Sequence, residues 1–258
     1  MSVAALLPNG VTELFQWDAI WGQGTWYALN KTGILALVST AICIGLFAWG
    51  GSKRRLVPTG VQNVAEIGYE FVDVQIAEDV IGHEGRKFTP FLGVMFFFIF
   101  FMNIWSTFPG VQFPATSRIA IPALLAIASW IVFIGVGFYK QGPLYIFKAI
   151  FPPGVPKALL IIVAPIEFLS KFIVRPFSLA VRLFANMFAG HILVSLFALM
   201  CAELWAAHSG WYQKLMVPLP LAALIAFVLF ELLVAFLQAF IFTLLTAVYI
   251  GESLSEEH

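Results

Sequence analysis

The 258-residue chain is 61% hydrophobic and 11% charged, with a mean hydropathy of +0.93. Soluble domains carry about 25% charged residues, so the composition excludes a soluble globular protein and predicts an integral membrane one. Fourteen basic and 14 acidic residues give a formal net charge of zero, which leaves no electrostatic case for nucleic acid as a partner.

Residues 1–33 read as an external N-terminal segment. Trp17, Trp21 and Trp26 have the character of an interfacial aromatic belt. Glu13 and Asp18 precede the first apolar run without a basic region, so no cleavable presequence is expected, which favours a bacterial or organelle-encoded protein. The first span covers 34–50 (ILALVSTAICIGLFAWG), and Lys53, Arg54 and Arg55 follow at once. Residues 59–85 differ in kind. Glu66, Glu70, Asp73, Glu78 and Asp79 alternate with Val61, Val64, Ile67, Phe71 and Val74, spaced three or four apart, as in an amphipathic helix at the membrane surface. Residues 89–107 and 119–139 are two further spans. The short Pro/Gly-rich link TFPGVQFPATSR makes 89–139 a hairpin. Lys140, Lys148, Lys157 and the breaker FPPGVP mark a connector.

Two long apolar blocks follow, Leu160–Cys201 and Val217–Ile250, before the acidic tail 251–258 (GESLSEEH). A span needs about 20 residues, and these blocks have 42 and 34. Neither contains turn chemistry, so 158–250 is expected to be a pair of long, strongly tilted helices. The fold expected is therefore an all-α integral membrane protein in a single membrane domain. It has about five membrane helices and one amphipathic surface helix. Placing 51–88 and 140–157 in the cytoplasm puts eight Lys and Arg on that side against three, Lys31, Arg118 and Lys214, on the other. That bias sets the N-terminus outside and the C-terminus in the cytoplasm.

Polar residues within the long blocks carry the chemistry. Glu167, Lys171, Arg175, Ser178, Arg182 and Asn186 step by four or three, which draws one stripe down a helix. His191, nine residues beyond Arg182, falls on the opposite face. Glu231 and Gln238 share a face of the last block, and Tyr249 joins them. A charge in the bilayer costs from about 3 to more than 10 kcal/mol and marks function by default. Lys171 and Arg175 have a simpler reading as side chains that snorkel to the cytoplasmic surface, with Glu167 as an i,i+4 partner of Lys171. Arg182 has no acid within a turn and cannot lose its proton. Cys43 and Cys201 have no metal-ligand spacing, and neither a metal nor a cofactor is expected.

The strings SLAVRLFANMFAGH and ELLVAFLQAFIFTLLTAVYIGESL closely resemble the two signature segments of subunit a of the F-type ATP synthase membrane sector. FPPGVPKAL and the five-span layout extend the likeness over most of the chain, though not to the first 30 residues. QFPATSRIAIP resembles actinobacterial members. The resemblance implies a proton-translocating, non-catalytic stator subunit in a bacterial plasma membrane. Its partners would be a rotating c-ring, peripheral-stalk subunit b, the other synthase subunits, the lipid bilayer and protons. It also implies residue roles. Arg182 takes the place of the family's essential arginine at the ring and blocks direct leak between two offset half-channels. Asn186 and Gln238 take the places of its asparagine and glutamine, and His191 with Glu231 that of its exchangeable Glu/His pair, on the entrance side. Glu167 and Ser178 fall on the exit side, with Arg175, Lys171 and Tyr249 in support. A secondary ion transporter or channel subunit is the alternative, but no inverted repeat or broken midplane helix supports it. Protease or transferase motifs are missing from the spans.

Overall fold

A computed structural model describes residues 30–52, 60–108, 114–151, 156–206 and 210–255. Trp17, Trp21 and Trp26, the basic run Lys53, Arg54 and Arg55, and the side chain of Lys157 lie outside the described residues. Among the described residues there is no strand.

Helix α1 (Lys31–Ser52) buries Leu35, Ser39 and Cys43, one residue per turn, and leaves Leu37, Ile44 and Trp49 exposed. That is the pattern of a span with one protein face and one lipid face. Helix α2 starts at Val61–Val72, passes through a π-helical turn at Asp73–Glu78 and ends at Asp79–Ile81. Val61, Val64, Ile67 and Val74 of its apolar stripe are exposed, as on a helix lying at the membrane surface, while Phe71 of the same stripe packs against Phe96, Phe236 and Phe240. Small residues mark its close approach to α1 and to the helix that follows. A Cβ on Gly50 of α1 would come 2.6 Å from the Ala65 Cβ, and one on Gly68 would collide with the Phe97 ring. Small residues let helices approach closely in a bilayer, where apolar bulk gives no preference for protein over lipid. Helix α2 thus has three sides: small residues to protein, valines and Ile67 outward, and Glu66 and Glu70 exposed. The π turn then swings Ile76 and Ala77 fully into the core.

Helix α3 (Thr89–Ile104) is short, 16 residues or about 24 Å. It runs antiparallel to α1, with Trp105 Nε1 donating to Ser39 Oγ at 2.8 Å at its end and Phe97, midway along it, edge-on to Phe47. Phe71, Phe96, Phe100, Phe236 and Phe240 form an aromatic cluster joining α2 and α3 to the last helix, with ring centroids 5.6–6.4 Å apart. A buried 3-10 turn, Ala115–Ser117, leads to α4 (Ala120–Gln141). The short α5 (Tyr145–Ile150) packs its Tyr145 ring onto Gly137. Outside the membrane, Lys140 binds Glu84 at 2.9 Å and holds that carboxyl below its ordinary value.

The first long block is α6 (Lys157–Phe168), a π turn at Leu169–Val174, and α7 (Arg175–Trp205), continuous over Leu159–Trp205. After α8 (Trp211–Leu215) comes α9 (Pro218–Leu254), 37 residues without interruption. The last helix therefore runs four residues past Ile250, into what the sequence marked as tail. At 1.5 Å per residue α7 is about 46 Å long and α9 about 55 Å. Both overshoot a hydrocarbon core of about 30 Å, so the pair lies obliquely. Four helices are long and apolar enough to cross a membrane, and α3 is a shorter apolar helix.

Candidate functional site: a polar seam between α7 and α9

Two contacts set how α7 and α9 face each other. Arg175 Nη1 lies 2.6 Å from Glu252 Oε2 at one end, and a Cβ on Gly190 would lie 3.1 Å from Glu231 Oε1 farther along. The helices are thus antiparallel. Seven residues on from Glu231 and seven back from Gly190 bring Gln238 level with Leu183, beside Arg182.

The π turn matters for the stripe. Its i→i+5 hydrogen bonding breaks the 100° step, so Glu167 and Lys171 leave the line that Arg175, Ser178, Arg182 and Asn186 share on α7. Lys171 instead pairs with Glu167 at 3.2 Å and donates to the Ala149 carbonyl at 3.0 Å. Arg175 pairs with Glu252 and stacks its guanidinium 4.6 Å from the Tyr249 ring centroid. Arg182 is half-buried, and among the described residues none hydrogen-bonds or pairs with it. Around it α7 is exposed and narrow. Ala185, Asn186 and Ala189 form an outward strip of small side chains, with Ser178 half-buried one turn before Arg182.

The other side of α7 is closed. His191 is 7% exposed, Glu231 3% and Gln238 4%. The charge of Lys31, at the start of α1, reaches His191. Both carboxyl oxygens of Glu231 are buried and accept no hydrogen bond. The Ser106 hydroxyl lies beside them, but its single proton goes to the Asn103 carbonyl at 2.9 Å. Asn103 in turn accepts from Thr116 Oγ1 at 2.6 Å, while its Nδ2 is orphaned, as are Thr32 Oγ1, Thr107 Oγ1 and Ser117 Oγ. Buried polar atoms without partners are rare, because each costs roughly 1–3 kcal/mol. This group clusters at one end of the fold, around the start of α1, the end of α3 and the Ala115–Ser117 turn. It is a buried polar cluster that reaches Glu231 through Ser106.

The seam thus brings Gly190, the neighbour of His191 in the chain, against Glu231, sets Gln238 level with Arg182, and joins Arg175 to Tyr249. Glu167 and Lys171 stand apart from it. Sequence reasoning missed Asn103, Ser106, Thr116, Lys31 and Glu252. Asn103 alone carried a signal, as an amide inside the run FFFIFFMNIW. Among the described residues no cluster of His, Cys, Asp or Glu has metal-binding geometry.

Known proteins resemble the chain over most of its length. The profile of the family described as "ATP synthase A chain" matches residues 33–251. The chain is 43% identical over 236 residues to ATP synthase subunit a of Frankia alni, covering 89% of this chain and 79% of that one. It is 46% identical over 235 residues to the same subunit of a Parafrankia species, covering 89% and 77%. The Rhodococcus erythropolis subunit is 41% identical over 235 residues, covering 90% and 85%. The chain belongs to the ATP synthase A chain family.

Proposed function

We propose that this chain provides the two proton half-channels of its synthase, with Arg182 as the barrier between them. At the coarser level it is a multi-pass, non-catalytic membrane subunit of the proton-translocating ATP synthase. The observation that carries the finer reading is the contrast along the stripe: Lys171 and Arg175 each have a carboxylate, whereas Arg182 has none among the described residues. A fixed cation that its own chain leaves unneutralised fits a carboxylate supplied by another chain. The strip Ala185, Asn186 and Ala189 beside it is narrow enough for a ring of c-subunit helices to pass closely.

Charge then explains direction. A ring carboxyl that meets the Arg182 guanidinium is stabilised as the anion, so it releases its proton on the exit side, past Ser178 and toward the cytoplasm. The same cation repels a proton crossing straight between the half-channels. Such a leak dissipates about 2.3 kcal/mol per charge for each 100 mV. On the external side, water ordered by Asn103, Ser106 and Thr116 delivers protons to Glu231 and His191, and Gln238 orders the last step toward the ring. Glu167, paired with Lys171, is peripheral to the exit. The N-terminus is outside, the C-terminus cytoplasmic, and the peripheral stalk with subunit b holds the chain still.

A cysteine test separates this reading from a transporter. Ala189→Cys is expected to cross-link to a ring subunit in the assembled membrane complex. Leu124→Cys, 66% exposed on α4, is the lipid-facing control. A chain that purifies alone and cross-links at neither position is a transporter or channel instead.

A further inference from the structure

Arg175 lies two turns, about 10.5 Å, before Arg182 in the same regular helix. Seven residues at 100° each bring the two guanidinium-bearing positions to within about 20° of one face. On sequence alone, α7 therefore presents two permanent cations to whatever passes that face. The fold treats them differently. Arg175 Nη1 is 2.6 Å from Glu252 Oε2, its guanidinium sits 4.6 Å from the Tyr249 ring centroid, and its side chain is only 18% exposed. Both partners come from α9, and that end of α9 is itself pinned. Gln141 Nε2 donates to the carbonyls of Ser253 at 3.1 Å and Ser255 at 3.2 Å, and the Tyr145 and Ser253 hydroxyls bond at 3.0 Å. This is more anchoring than a surface ion pair needs. Most exposed pairs are loosely held and contribute little.

We propose that Glu252 and Tyr249 sequester Arg175, so that a single free cation, Arg182, faces the ring. In this role Arg175, Tyr249 and Glu252 are positioning residues, and the inference rests on the reading of Arg182 given above. Glu252 cancels the charge of Arg175, and Tyr249 turns the guanidinium toward α9 and away from the open strip. Releasing Arg175 would place a second cation on the exit flank. A ring carboxylate leaving Arg182 would then be held again one step later, and rotation would slow. An unscreened unit charge about 10 Å from a carboxylate, at an effective dielectric of about 20, changes its ionisation equilibrium by about tenfold.

The experiment measures ATP-driven proton pumping in inverted membrane vesicles holding the whole complex, with the amount of this chain and of co-purifying ring measured in parallel. Glu252→Gln is expected to slow pumping by up to about tenfold. The double variant Arg175→Gln with Glu252→Gln is expected to recover most of the rate, because the freed cation is gone. If the pair were only a mechanical tie, the double variant would be as slow as Glu252→Gln or slower, and that result overturns the proposal. So does normal pumping by Glu252→Gln. Should Glu252→Gln fail to assemble, Tyr249→Leu with and without Arg175→Gln tests the turning of the guanidinium toward α9: slow pumping that Arg175→Gln relieves supports the proposal, and normal or unrelieved pumping overturns it. Arg182→Ala in the same vesicles separates the two levels. Normal pumping there sinks the arginine reading itself, whereas a silent Arg182→Ala with an unrescued double variant sinks only the sequestration.

Discussion

Arg182 differs from Lys171 and Arg175 in what its own chain offers it. The other two reach carboxylates at 3.2 and 2.6 Å, whereas no described residue pairs with Arg182. A guanidinium keeps its proton even where a buried ammonium would lose it, so Arg182→Lys is expected to lose most coupled synthesis despite keeping the nominal charge. ATP synthesis by energised vesicles checks this, and wild-type rates would show that charge alone suffices. Glu231 makes the complementary case. Its oxygens are enclosed against Gly190 and the Ser106 hydroxyl with no donor of their own. Glu231→Gln keeps the shape and removes the exchangeable proton, so passive proton conduction should fall by about 10²–10⁴-fold, the usual weight of one positioned acid–base group. His191→Glu, one position from Gly190, should restore part of it. These residues were legible in the sequence because charge inside an apolar run is conspicuous. Ser106 and Asn103 were not. Ser106 comes beside Glu231 from the end of α3, and Asn103 takes the Ser106 proton on its carbonyl; no local spacing records that.

At the scale of the element, the sequence showed helix lengths and faces better than it showed contacts. The blocks Leu160–Cys201 and Val217–Ile250 had no turn residues, and the structure makes them helices throughout. The π turn at Leu169–Val174 was invisible, because an i→i+5 ring has no residue signature, and it removes Glu167 and Lys171 from the stripe. The acidic tail was set apart from the last block at Ile250, yet α9 continues to Leu254, and that extension is what brings Glu252 to Arg175. On α2 the outward valines follow the apolar period, whereas Ala65 and Gly68, poor hydrophobes that permit close approach to α1 and α3, carried no signal in that period. Gly68→Leu should accordingly destabilise the chain by about 1–3 kcal/mol, since Phe97 fills the space. Val64→Leu on the outward stripe should change stability little. Thermal unfolding of the purified complex in detergent compares the two, and equal effects would contradict the assignment of faces.

For the whole molecule, the two helices that overshoot the bilayer define a seam with different ends. A buried polar cluster with orphaned donors and acceptors leads to Glu231 at one end, and an ion-paired, anchored end surrounds Arg175 at the other. The proposed orientation, with the basic loops in the cytoplasm, puts the polar cluster outside. Ser255→Cys, at the end of α9, should then react with an impermeant maleimide in inverted vesicles and not in intact cells. The reverse pattern would exchange entrance and exit. Everything else in the account depends on one residue keeping the two routes apart. The most direct measurement is proton-driven ATP synthesis and ATP-driven pumping by Arg182→Ala in vesicles with the complex assembled. The account predicts no coupled synthesis or pumping, with ATP hydrolysis by the soluble sector retained. Near-normal coupled synthesis in that variant would contradict it.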